Sequence, residues 1–123
     1  MAEGPRVLLI EDDEAIRYVV SEALADDGCQ VRAVGGGREA LALLADWRPD
    51  VILLDLMLPD MDGWAFRAAQ REQGRGADIP LVLCTASRQA SIAAADLGAA
   101  AILAKPFDLP DLLAAVERAA GRG

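Results

Sequence analysis

The stretch that most limits what this chain can become is Val51-Ile52-Leu53-Leu54, a run of branched apolar residues that ends on one carboxylate, Asp55. An apolar run without polar alternation needs cover on both faces. That is the situation of a central strand in a parallel sheet with helices on each side. Strands of this kind carry their chemistry at the carboxyl end. An ionised carboxylate placed there is unfavourable unless a cation, a hydrogen-bond network or solvent meets it. Taken alone, Asp55 reads as a loop or capping residue, and other stretches of the chain decide against that.

Similar short apolar runs occupy residues 7–10, 31–34, 81–85 and 101–104. Between them the apolar spacing is helical. Ile16, Val19, Val20, Ala23 and Leu24 form a stripe expected to face the sheet, and Gly28 closes that helix. Gly35-Gly36-Gly37 closes the second strand, and Ala40, Leu41 and Leu44 mark a short helix. It is expected to stop before Pro49, since the residue ahead of a proline avoids the helical region. A third helix starts near Asp62-Gly63, carries Trp64, Phe66 and Arg67, and runs out in the loop Gln73-Gly74-Arg75-Gly76. A fourth, around Ala90 to Leu97, ends at Gly98. The last places Leu109, Leu112, Leu113 and Val116 on one face, and Gly121 to Gly123 reads as a frayed end.

Strand and helix thus alternate five times with short connections, which predicts an α/β fold, a doubly wound five-stranded parallel sheet. Right-handed crossovers leave few topologies, and the simplest is the order 2-1-3-4-5. It places the third strand at the centre and a ligand crevice at the carboxyl ends of the first and third strands. A chain of 123 residues is expected to form a single domain over 1–123, with room for one core and none for a second catalytic domain.

The formal charge of −8, from 20 acidic against 12 basic residues, opposes direct contact with nucleic acid or anionic membranes. No stretch is long and apolar enough to span a bilayer, and the start, Met1 to Arg6, lacks the plan of a secretion signal. Cys29 and Cys84 fall three strands apart in the expected order, on the order of 14 Å, too far to bridge. Both read as reduced thiols of a cytoplasmic protein. The chain has no histidine, which excludes His-based acid–base catalysis and most zinc sites.

In the expected topology Glu11 and Asp12, with Asp13 as a further candidate, meet Asp55 in one crevice. Three or four carboxylates do not ionise side by side without a cation. Oxygen ligands with neither His nor Cys favour Mg²⁺. The competing reading is an acidic turn that caps the first helix. Two further strand ends decide between them: the fourth strand ends in Thr85 followed by the small Ala86, and the fifth in Lys105-Pro106. A carboxylate nucleophile, a metal site, a hydroxyl and an ammonium, each at the exit of a different strand, form a set that binds a phosphoryl group. Asp55 is the candidate nucleophile, forming an acyl phosphate. No residue is placed to activate water strongly, so the phosphorylated state is expected to last long enough to signal.

With these motifs in hand, the chain resembles the receiver domains of bacterial two-component response regulators. Glu11-Asp12, Asp55, Leu58-Pro59 with Met61-Asp62-Gly63, Thr85-Ala86 and Lys105-Pro106-Phe107 carry the resemblance, which runs from about Arg6 to Ala119. It implies a flavodoxin-like (βα)5 fold and a phosphoacceptor function in a two-component system or phosphorelay. Asp55 would accept a phosphoryl group from a sensor histidine kinase, a histidine phosphotransfer protein or a small phosphodonor. Asp12, Asp55 and the Met57 carbonyl would ligate Mg²⁺ directly, and Glu11 through water. Thr85 and Lys105 would contact the phosphoryl oxygens, and the Lys105–Pro106 bond would be cis. Recognition by the kinase would depend on Arg17, Tyr18 and Glu22 of the first helix and on the loop after the fifth strand.

Two features depart from the family pattern. An aromatic switch residue is common where this chain has Ile102, and a pair of acidic residues where it has Ala100 and Ala101. The second departure weakens the case for a salt-bridged dimer on the face made by the fourth helix, fifth strand and fifth helix. Ile92, Ala93, Ala94 and Ala95 make that face apolar instead. Phosphorylation is expected to change its affinity for a downstream protein, an output domain or a second copy in a homodimer.

Other readings fare worse. An aspartyl-phosphate phosphohydrolase would want an acid two residues past its nucleophile, where this chain has Met57. A flavin module would want neutral phosphate donors after the first strand, where Glu11 to Glu14 stand. A degenerate receiver would lack one of the five key residues, and none is missing. No turnover of an external substrate is expected. A chain ending just after the last helix reads as a stand-alone receiver or as a piece of a longer regulator or hybrid kinase.

Overall fold

A computed structural model describes residues 4–121 of the chain. Met1, Ala2 and Glu3 of the leading segment, and Arg122 and Gly123 of the expected frayed end, lie outside the described residues. The elements are β1 (Arg6–Ile10), α1 (Glu14–Asp26), β2 (Gln30–Val34), α2 (Gly37–Leu44), β3 (Val51–Asp55), α3 (Gly63–Gln73), β4 (Leu81–Thr85), α4 (Ala90–Leu97), β5 (Ala101–Ala104) and α5 (Leu109–Ala119). All strand pairs are parallel, in the order β2-β1-β3-β4-β5 that the alternation predicts.

Why the central strands are apolar throughout is visible in the two cores. Successive residues of a strand point to opposite faces, and here both faces are covered. Leu8, Ile10, Ile52, Leu54, Leu81 and Leu83 pack with Ala40, Leu44, Phe66 and Leu97 of α2, α3 and α4. Val7, Leu9, Val51, Leu53, Val82 and Leu103 pack with Val20 and Leu24 of α1 and Leu112 and Val116 of α5. A polar residue at either position would lose its hydration without gaining a partner.

Two helix faces and one helix start differ from expectation. In α1 Val20 and Leu24 are buried and Ile16 and Ala23 partly so, but Val19 is 51% exposed. Ile16, Val20 and Leu24 stand one turn apart in a single row, and Val19 falls beside that row, on a groove shared with Phe107 and Leu109. Leu109, in the first turn of α5, is also exposed, while Leu112 and Val116 are buried. Helix α2 begins at Gly37, so that glycine belongs to the helix rather than to the closing turn, and the helix ends well ahead of Pro49.

Helix ends follow local chemistry. Asp13 and Asp62 cap α1 and α3, accepting from Ile16 N–H at 3.0 Å and Ala65 N–H at 2.8 Å. Gly74 and Gly98, after α3 and α4, adopt the left-handed conformation (φ 65° and 67°) that suits glycine at a helix end. Arg67 is buried without a carboxylate. Its guanidinium donates to the Leu97 carbonyl at 2.8 Å and to Gln70 at 3.0 Å, tying α3 to the end of α4. Because Asp62 supplies one cap bond, Asp62→Ala is expected to lower stability by about 1 kcal/mol. Urea unfolding measures this, and an unchanged midpoint would show that α3 does not depend on the cap.

Candidate functional site

Strand register decides which side chains meet. Ile10 pairs with Leu54, so Glu11 and Asp12 leave β1 alongside Asp55 at the end of β3. Asp55 pairs with Cys84 and Thr85 with Ala104, so Thr85 and Lys105 leave β4 and β5 at the same edge. One carboxylate oxygen from each of Glu11, Asp12 and Asp55 lies within 4.8 Å of the others. Glu11 is buried, Asp55 half-buried and Asp12 exposed.

Lys105 is the hub. Its Nζ donates to Glu11 Oε1 at 2.6 Å and to Asp55 Oδ2 at 2.9 Å. Burial disfavours the ammonium, but its bonds to Glu11 and Asp55 outweigh that and hold the Lys105 pKa above that of an ordinary lysine. The remaining oxygens of these two carboxylates accept backbone donors: Asp55 Oδ1 from Met57 N–H and Glu11 Oε2 from Asp13 N–H, both at 3.1 Å. Thr85 is buried, its Oγ1 accepting from Ser87 N–H at 3.0 Å. The Lys105–Pro106 peptide is cis.

The acidic run divides its labour. Asp13 caps α1 and stands outside the cluster of Glu11, Asp12 and Asp55, so the capping reading of that run applies to Asp13. Tyr18 and Glu22 are exposed, whereas Arg17 is half-buried and donates to the Glu11 carbonyl at 2.8 Å and the Asp12 carbonyl at 3.4 Å. Helical side chains lean toward the N-terminus, so an arginine one turn inside α1 reaches back over the acidic loop, a signal legible in the sequence. Lys105 was expected against phosphoryl oxygens, and here it spans two carboxylates. Cys29 and Cys84 are both free thiols, and burial pushes the Cys84 pKa up to about 12.

The donor set suits a hard divalent cation. Three carboxylates meet and one ammonium pairs with two of them, an excess of negative charge that one Mg²⁺ would offset, with oxygen ligands only. An acidic crevice around a strand-end aspartate, at the switch point of a doubly wound sheet, is the layout of a phosphoacceptor domain. The chain belongs to the response regulator receiver domains, a family that matches residues 7–117.

Among its relatives, the response regulator MprA of Mycolicibacterium vanbaalenii is 39% identical over 111 residues, covering 89% of this chain and 47% of its own length. The DNA-binding dual master transcriptional regulator RpaA of Synechocystis is 42% identical over 114 residues, covering 91% of this chain and 47% of its own. The chain therefore spans about half the length of the curated relatives it matches. Among solved structures, the receiver domain of the sensor histidine kinase PA1611 from Pseudomonas aeruginosa, with a magnesium ion coordinated in its active site cleft, is 30% identical with a TM-score of 0.86. The match covers 96% of this chain and 98% of that one. The chemotaxis response regulator CheY4 of Vibrio cholerae is 34% identical with a TM-score of 0.84, over 94% and 98% of the two chains. Receiver domains are signalling domains of two-component systems. Among the described residues no helix is long and apolar enough to cross a membrane.

Proposed function

We propose that the chain acts as one receiver unit, with Asp55 accepting a phosphoryl group from a phosphohistidine of a sensor histidine kinase or histidine phosphotransfer protein. The observation that carries this is the meeting of Glu11, Asp12 and Asp55 within 4.8 Å, with Lys105 on Asp55 at 2.9 Å. An Asp55 oxygen attacks phosphorus, an acyl phosphate O–P bond forms, and the P–N bond breaks with its electron pair leaving on the imidazole. Asp12, Asp55 and the Met57 carbonyl would hold Mg²⁺ directly and Glu11 through water, and a bound ion would supply positive charge against the phosphoryl oxygens. Lys105 moves from Asp55 onto one phosphoryl oxygen and the Thr85 hydroxyl donates to another. Met57 stands where a hydrolase would carry its acid, so the chain turns over no external substrate, and the acyl phosphate persists as a signal.

A groove of about 540 Å³ beside Lys105, lined by Ile16, Val19, Pro106, Phe107 and Leu109, supports docking of the phosphodonor protein there. Its apolar walls suit a helix face, and its position brings the donor histidine to Asp55. On the α4–β5–α5 side Ile92 is 63% and Ile102 40% exposed. Phosphorylation changes that face's affinity for a downstream protein, an output domain or a second copy of the chain, through a rearrangement smaller than the turn of an aromatic ring. The acidic surface supports a reading in which these residues do not themselves hold nucleic acid. The DNA binding named for RpaA belongs to that longer protein. The free thiols fit a cytoplasmic location.

Incubation with a small acyl or amide phosphodonor, with and without Mg²⁺, tests the proposal by intact mass. One phosphoryl group, gained only with Mg²⁺, is the expected result. No gain in the presence of Mg²⁺ rejects the reading.

A further inference from the structure

The loop that follows Asp55 is held at its far end by a contact the phosphoacceptor chemistry leaves unused. Helix α2 starts at Gly37 with Gly36 as its cap, a residue with no side chain to accept from the first turn. First-turn N–H groups have no partner within their own helix. Asp60 supplies two of the missing acceptors from 22 and 23 residues away: Oδ2 accepts from Arg38 N–H at 2.9 Å and Oδ1 from Gly37 N–H at 3.0 Å. The Arg38 N–H is the main reason that the Asp60 carboxyl sits below the usual carboxylate range.

Two absent side chains make the approach possible. A Cβ on Gly36 would stand 2.9 Å from Asp60 Oδ1, and one on Gly37 would stand 2.6 Å from Met61 Cγ. Neither glycine has a positive φ, so what they supply is room. The same loop is closed at its neck. Gly63 N–H donates to the Leu56 carbonyl at 2.8 Å, and Met57 faces Asp62 in an antiparallel bridge. The neck ties the loop to itself, whereas the Asp60 clasp ties it to another element. Met57 is part of that neck, and its N–H already holds Asp55 Oδ1.

We propose that Asp60 is a positioning residue: by clasping the first turn of α2 it fixes the Met57 segment beside Asp55 and so sets the affinity of the crevice for a divalent cation. This rests on the reading in which Asp55 and the Met57 carbonyl hold Mg²⁺. A side chain that only capped α2 would change thermal stability and leave the cation affinity of the folded protein alone.

Backbone-amide NMR titration with MgCl₂, which reports folding and affinity together, separates the two roles. Asp60→Ala is expected to raise the Mg²⁺ Kd about tenfold, the low end of what loss of a supporting partner does at metal sites. Asp60→Asn keeps one acceptor oxygen and is expected to recover part of the affinity. Gly36→Ala, which pushes the clasp apart from its other side with Asp60 intact, is expected to weaken binding in the same direction. Phosphoryl uptake from the small donor should slow in the same order. Folded Asp60→Ala and Gly36→Ala variants with wild-type Kd values would overturn the positioning role while leaving the phosphoacceptor reading in place. A wild type whose amides ignore Mg²⁺ would remove both.

Discussion

Asp55→Asn is expected to gain no phosphoryl group under conditions that load the wild type, and to remain folded. An amide has no anionic oxygen to attack phosphorus, and the chain has no histidine to serve as an alternative acceptor. The fold should tolerate the change because its cost is local. Asp55 uses both oxygens, one on Met57 N–H and one on Lys105, and asparagine has a single oxygen to offer. One of the two donors therefore faces an NH₂ group, a loss of about 1 kcal/mol, partly offset by weaker repulsion from Glu11 and Asp12. Intact mass and urea unfolding read the two effects separately. Phosphoryl uptake by the Asp55→Asn variant would place the acceptor elsewhere.

Lys105→Ala is expected to destabilise the Mg²⁺-free protein by about 2 kcal/mol at neutral pH, below the 3–5 kcal/mol of a fully buried pair because the crevice is partly open to solvent. Removing the ammonium leaves Glu11, which is 4% exposed, without the cation that neutralises it. Mg²⁺ should restore much of this loss, so the variant's stability should climb more steeply with Mg²⁺ than that of the wild type. The pH dependence has a definite sign. Because the folded-state pKa of Lys105 is raised, its contribution is fully present below the unfolded value of about 10.4 and fades as pH rises through the folded one. The gap between wild type and variant should therefore close in strongly alkaline solution. A gap that is constant with pH, or a variant indifferent to Mg²⁺, would show that the lysine acts only through packing. The variant should still accept phosphate but fail to change conformation, and identical spectral changes in both proteins would reject the lysine as a switch.

Both experiments turn on contacts of different legibility. That Asp55, Thr85 and Lys105 share one edge followed from counting strands, since each closes an apolar run and parallel strands end on the same side. That Lys105 spans Glu11 and Asp55 did not follow, because two acceptors and a phosphoryl oxygen compete for the same ammonium. Asp13 shows the same limit: a carboxylate after a strand suits a metal and a helix cap equally well, and the start of α1 at Glu14 settled it. Val19 differs in kind, since an apolar stripe five residues wide exceeds what one row of α1 buries.

What the sequence determined by itself was the succession of elements, their parallel order and the edge at which the polar residues gather. Hydrophobic period and strand ends are properties of neighbouring residues, and chain connectivity restricts the rest. Only the tertiary structure decided which partner these polar groups take: Lys105 between two carboxylates, Asp60 on α2. Such choices separate hydrogen bonds worth about 1 kcal/mol each, and distances across the crevice, invisible along the chain, select among them.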